Sequence, residues 1–233
     1  MRRLLPLLPV ALASGAGLSC VALGLRPADY HPQVDPADFR EIIDNAFFPL
    51  VPGTVARYVE KEGDETTERE VTVTSDTRVV MGVSCVVVHE AVSTDGVLEE
   101  DTTSWFAEDE QGAVWFFGED TRQIGPDGVV STEGSWEAGV DGAQPGIVMP
   151  GRPEPGEPYR QGYRFGVMED MAQVVALDRS VTVPAGTYTD CVETSDWSLL
   201  EAGSDKKWYA AGVGLVRSES HADVETLVSL TRP

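Results

Sequence analysis

Two pairs of adjacent acids stand out in this chain: Glu119-Asp120 after Phe117-Gly118, and Glu169-Asp170 after Phe165-Gly166-Val167-Met168. Each pair sits beside an aromatic residue and a glycine, where the backbone can bend and present both carboxylates together. With Glu137 and Asp141 they offer the hard oxygen donors that calcium takes, although no twelve-residue Asp-x-Asp-x-Asp-Gly loop is present. Solvated turn charges are the ordinary alternative, and a carboxylate pair is also the apparatus of glycoside hydrolysis. With 39 acidic residues in the chain, sequence singles out no catalytic pair. Met149, Met168 and Met171 cluster in or beside a long Gly/Pro-rich stretch. Thioethers suit Cu(I), and they equally fill irregular apolar gaps. Trp105, Trp115, Trp136, Tyr159 and Tyr163 are the candidates for lining a pocket for an apolar or sugar ligand, with simple core packing as the alternative.

Catalytic signatures are otherwise missing from the sequence. HExxH, CxxC, Gly-x-Ser-x-Gly, the phosphate-binding loop and the dinucleotide fingerprint do not occur. The three histidines, His31, His89 and His221, are scattered, and a lone strand histidine is ordinarily structural. This weighs against a serine or zinc hydrolase and names no cofactor. A binding or scaffold module is the leading expectation, an extracytoplasmic metal-binding protein the second, and an acid-pair hydrolase a distant third.

The elements that must hold these residues are strands. From Thr54 onward the apolar runs are short, rich in Val, Thr, Tyr, Trp and Phe, and bounded by Gly, Asp or Pro. Val55–Lys61, Glu68–Thr74, Arg78–Ala91, Val97–Glu108, Ala113–Gly118 and Val129–Glu133 form a first set. Tyr159–Leu177, Ser180–Val183, Tyr188–Leu199, Lys206–Ala211, Gly214–Glu219 and Val224–Leu230 form a second. Asp95-Gly96, Gln111-Gly112 and Asp127-Gly128 supply the positive φ of hairpin turns, so neighbours should pair antiparallel. The expectation is an all-β protein of about a dozen antiparallel strands in a curved sheet or half-barrel. Val86-Val87-Val88 and Val114-Trp115-Phe116-Phe117 are apolar on both faces and call for an outer cover. A short helix capped by Asp35, with Pro36 at its first position and Phe39, Ile42, Ile43 and Ala46 on one face, or else a long loop, is the expected cover. Residues 133–158, with six glycines and five prolines, break the strand pattern. Such a stretch should be a lid over the concave face or an Ω-loop sealing a sheet edge.

Charge and cysteines bound the setting. The formal charge is −22, and without residues 1–19, which contain Arg2 and Arg3, 15 basic residues face 39 acidic ones. Nucleic acid is excluded as a partner by the sign of that field, and anionic membrane is reachable only through an N-terminal anchor. Arg2 and Arg3, the apolar run from Leu4 and the small residues up to Cys20 have the form of a signal peptide over residues 1–20. Gly17-Leu18-Ser19-Cys20 has the form of a lipobox, which would make Cys20 a lipidation site. Cleavage nearer Ala13 or Ala16 and retention of Leu4–Leu25 as an anchor stay open. Residues 21–34 read as a tether and 35–233 as one β domain. Cys85 and Cys191 are expected either as one disulfide closing a long loop, worth up to roughly 4–5 kcal/mol, or as two buried thiols.

Several phrases carry a resemblance. Phe48-Pro-Leu-Val-Pro-Gly-Thr54, Trp115-Phe-Phe-Gly-Glu-Asp-Thr121, Ser131 to Ala143, Val183-Pro-Ala-Gly-Thr187 and Tyr209-Ala-Ala-Gly-Val-Gly-Leu-Val216 resemble a widespread group of uncharacterised exported bacterial proteins. The resemblance covers about residues 45–230, with Ala211 where proline is usual. It implies an antiparallel half-barrel, related in shape to lipoprotein carriers or lipocalins, and an exported state. It implies no activity and no catalytic residue. Taken with the composition, it points to an envelope binding or scaffold protein for an apolar small molecule, a lipid or a cell-wall component, with calcium or copper binding as the alternative.

Overall fold

Turn chemistry divides the chain into hairpins. In the computed structural model, residues 30–40, 42–220 and 223–233 are described. Sixteen strands run through them: β1 Phe39–Arg40, β2 Val55–Glu62, β3 Glu65–Val80, β4 Val83–Thr94, β5 Val97–Asp109, β6 Val114–Ile124, β7 Val130–Ser131 and β8 Trp136–Glu137. They continue as β9 Gln144–Met149, β10 Tyr159–Arg160, β11 Gly162–Tyr163, β12 Asp170–Val183, β13 Gly186–Ser198, β14 Asp205–Ala210, β15 Gly214–Glu219 and β16 Val224–Thr231. Asp95-Gly96 has both residues at positive φ, and Gly112 and Gly128 also adopt it, as the turn reading requires. One expected strand, Arg78–Ala91, is two: Met81 and Gly82 both take positive φ and reverse the chain between β3 and β4.

The sheet is all-β, antiparallel and nearly closed. Its order is β10-β12-β13-β14-β15-β16-β2-β3-β4-β5-β6-β9-β11, so β16 inserts beside β2 and joins the late meander to the early one. The two ends meet within a few residues of chain. Tyr159 and Arg160 pair with Ala172 and Met171 of β12, whereas Gly162 and Tyr163 pair with Pro145 and Gln144 of β9. At this seam the backbones touch. A Cβ on Gly146 would lie 2.5 Å from both Arg160 O and Gln161 C.

The expected N-terminal helix lasts one 3-10 turn, Pro36–Asp38, although Asp35 does cap it, its side chain accepting from Ala37 N. The reason lies in a buried carboxylate. Glu108 accepts the backbone N–H groups of Asp44 and Asn45 at 2.8 and 2.7 Å, and these are then lost to any helical ladder. Asn45 Oδ1 accepts from Phe47 N, and its Nδ2 donates to Gly112 O at 2.7 Å. The cover that the apolar strands require is therefore an extended strap. Phe39 sets its ring edge-on to Trp115 and Phe117, at 6.0 and 5.4 Å between centroids. Residues 133–158 are not a lid on the concave face: β8 and β9 pair with β6 and carry the sheet to its closure. The apolar core fills one half of the barrel around Phe48, Phe106, Phe116 and Leu227. Among the described residues no helix is long and apolar enough to cross a membrane. The proposed signal segment with Cys20, and His221, lie outside the described residues.

Candidate functional site

Gly118 permits the crossing that builds the site. A Cβ there would lie 2.9 Å from Glu137 Cα and against the Trp136 carbonyl, so only glycine lets β8 lie on β6. Gly118 pairs with Glu137 and Glu119 with Trp136. The result is a cleft of about 270 Å³ lined by Arg78, Trp105, Glu119, Asp120, Ser135, Trp136, Glu137, Val140, Asp141 and Arg164. Four of the six carboxylates read as metal-ligand candidates and two of the five aromatics thus converge on one place.

The lining is a set of matched charges. The Arg78 guanidinium stacks 4.0 Å over the Trp105 ring and pairs with Glu137. Arg164 donates to Ser135 O at 2.6 Å and approaches Asp141 Oδ2 at 3.5 Å. Ser135 Oγ accepts from Thr121 N at 3.0 Å and lies 3.4 Å from Asp120 Oδ1. Burial pushes the Glu119 carboxyl well above the usual range, and the charges of Glu100, Asp170 and Glu90 push the same way. The neighbouring Trp136 indole acts against the rise, although its Nε1 completes no hydrogen bond of normal geometry. Glu119 therefore holds its proton to higher pH than an ordinary glutamate. The polar lining of the cleft consists of carboxylates, two guanidinium groups and the Ser135 hydroxyl.

Glu119 also borders the polar half of the barrel interior. Arg69 on β3, 2% exposed, donates through Nε to Glu225 Oε1 at 2.7 Å and through Nη1 to Glu90 Oε2 at 3.2 Å. Its guanidinium lies 4.3 Å over Tyr58. Lys207 meets Asp196 at 3.0 Å, and Gln161 donates to the same carboxylate at 3.2 Å. Burial pushes Glu100 and Asp170 up to about 7.

The other sequence candidates disperse. Trp115 lies on the outer side under Phe39 and donates to Asp109 Oδ2 at 2.8 Å. Tyr159 is partly buried, with desolvation and the Asp196 charge raising its hydroxyl, and Tyr163 lies beside Arg160. Asp170 belongs to the buried network, while Glu169 Oε1 accepts from Gly166 N within its own turn. Met149, Met168 and Met171 are buried. His89 Nε2 faces Asp101 on the surface at 3.3 Å. Cys85 and Cys191 are buried as free thiols, one of the two arrangements that the sequence left open. Among the described residues no group of three or more His, Cys, Asp or Glu is placed to hold a metal ion. Guanidinium groups occupy Glu137 and Asp141 instead.

Sequence reasoning overlooked the cations. Arg78 and Arg164 complete the cleft, and Arg69 and Lys207 organise the interior. A signal was available: Arg69, Val71 and Val73 share the inward phase of one strand, as do Lys207 and Tyr209. A basic residue on an apolar phase is a buried, paired charge in waiting. No curated protein and no solved structure matches the chain. Residues 170–232, which form β12–β16, match a family model described as DUF3108-like.

Proposed function

We propose that this protein is an exported binding or scaffold module of the cell envelope, whose ligand lies in the cleft between Arg78 and Arg164. The observation that carries this reading is the convergence of two tryptophans, two guanidinium groups and four carboxylates around one open volume. A lining of both signs favours a ligand with many polar groups, such as a cell-wall component, over a wholly apolar molecule or a lipid tail. The apolar half of the barrel is filled by its own side chains, Phe106 and Phe116 among them at 0% exposure, which also turns the reading away from an apolar cargo on the concave face. The N-terminal signal-like segment supports export, with Cys20 as the proposed point of attachment.

Native mass spectrometry of protein isolated from its own membrane and soluble fractions tests the reading. The expected result is a co-purifying adduct that is lost from an Arg164→Ala variant of unchanged thermal stability. A bare polypeptide from both fractions, or an adduct indifferent to Arg164, overturns the cleft as the site.

A further inference from the structure

Among the described residues three cations are buried, and two of them follow the usual rule that a buried charge is paired. Arg69 has Glu225 and Glu90, and Lys207 has Asp196. Arg160 breaks the rule. It is 3% exposed, and Nε, Nη1 and Nη2 all lack a hydrogen-bond partner. Among the described residues no acid is paired with this guanidinium. The guanidinium lies over two aromatic rings, Tyr30 and Tyr163, at 5.5 and 5.3 Å.

The position of Arg160 is as specific as its lack of partners. It ends β10, one residue before the chain leaves β12 for β9, at the point where the two ends of the sheet meet. The close approach at Gly146 holds its backbone rigidly. The Tyr30 ring above it is tied down through its hydroxyl, which donates to Pro145 O at 2.9 Å.

We propose that Arg160 is the recognition group of an anion site at the barrel seam, covered by Tyr30, that takes a carboxylate or phosphate group. The planar fork of an arginine fits two oxygens of such a group, and its five donors are unspent. Two flanking rings restrict approach to the plane of the fork. Lifting Tyr30 opens it, and an anion then supplies the missing countercharge. This site is independent of the cleft proposed above and survives if that reading fails.

The test is NMR of the full chain labelled with 15N-arginine, titrated with sodium phosphate and with sodium acetate at constant ionic strength. The Arg160 Nε–Hε signal, identified by its loss in Arg160→Gln, is expected to move saturably. Tyr30→Phe should bind about fivefold more tightly, the factor that one neutral hydrogen bond holding the cover is worth. A third titration uses phosphatidylglycerol vesicles. Response to vesicles alone assigns the anion to a lipid headgroup, and response to phosphate or acetate assigns a free anion. An Arg160 signal unmoved by all three, or affinity unchanged in Tyr30→Phe, overturns the proposal.

Discussion

Replacing Arg69 by methionine should cost this protein more stability than the loss of a surface ion pair, and the cost should depend on pH. Arg69 lies between Glu225 of β16 and Glu90 of β4, where the C-terminal strand inserts beside β2. All three side chains are less than a tenth exposed. Methionine keeps much of the volume but strands two buried carboxylates and removes the cation over Tyr58. Removing one partner of a buried pair costs about 3–5 kcal/mol, against a typical total of about 5–15 kcal/mol for a domain. Exposed pairs such as Arg57 with Glu70 are worth about 1 kcal/mol or less. Urea unfolding followed by tryptophan fluorescence measures the difference. At pH 8 the loss should be near 4 kcal/mol, on the scale just given. Near pH 5 it should shrink, because a stranded carboxylate escapes its penalty by taking a proton. A triple variant, Arg69→Met with Glu90→Leu and Glu225→Leu, should recover most of the loss, since no buried charge is left unpaired. A single variant less than 1 kcal/mol below wild type, or a triple variant no better than the single, would refute the account of the interior as a paired network.

Gly146→Ala should destabilise by about 1–3 kcal/mol or more, because its Cβ meets only backbone at the seam; Gly156→Ala, whose Cβ would meet only an ordinary contact at 3.7 Å, is the control, and equal urea midpoints would sink the close-approach argument. Burial raises Glu100 and Asp170 from the ordinary carboxylate range to about 7, so the folded state binds more protons than the unfolded one between those limits. Stability from these two groups therefore falls as pH rises through that window and levels off above it; a urea midpoint higher at pH 8 than at pH 5.5, with Glu100→Gln leaving the slope unchanged, would contradict this. Burial pushes the Cys85 thiol up to about 12 and raises Cys191 as well, so iodoacetamide should label neither thiol in the native protein and both after denaturation; one mole of disulfide and no label would show the bridge instead.

Much of the architecture was legible from short-range rules. Asp95-Gly96 reversed the chain as its residue types require, and the doubly apolar Val114–Phe117 run announced a cover that Phe39 provides. The cover's form was misread because helix periodicity in residues 39–46 competes with Glu108, a carboxylate more than sixty positions away that captures the Asp44 and Asn45 N–H groups. Half of the site was legible too. Glu119-Asp120 stood out because a glycine precedes it, and Gly118 is indeed where β8 crosses. Arg78 and Arg164 carried no local mark, since an arginine in a strand looks the same whether it is solvated or stacked on a tryptophan.

What the sequence by itself determined is set by residue types and neighbours along the chain: the strand class, the hairpin turns and the acidic excess. Tertiary structure alone decided which charges meet. Pairing of β13 with β14 brings Lys207 to Asp196, the crossing of β8 on β6 sets Glu137 against Arg78, and closure of the sheet through Tyr159–Tyr163 buries Arg160 with no acid partner among the described residues. The physical reason is range. A turn or a strand depends on dihedral preferences and alternation within a few residues, whereas the energy of a charge depends on the burial and partners it acquires only when distant strands pack.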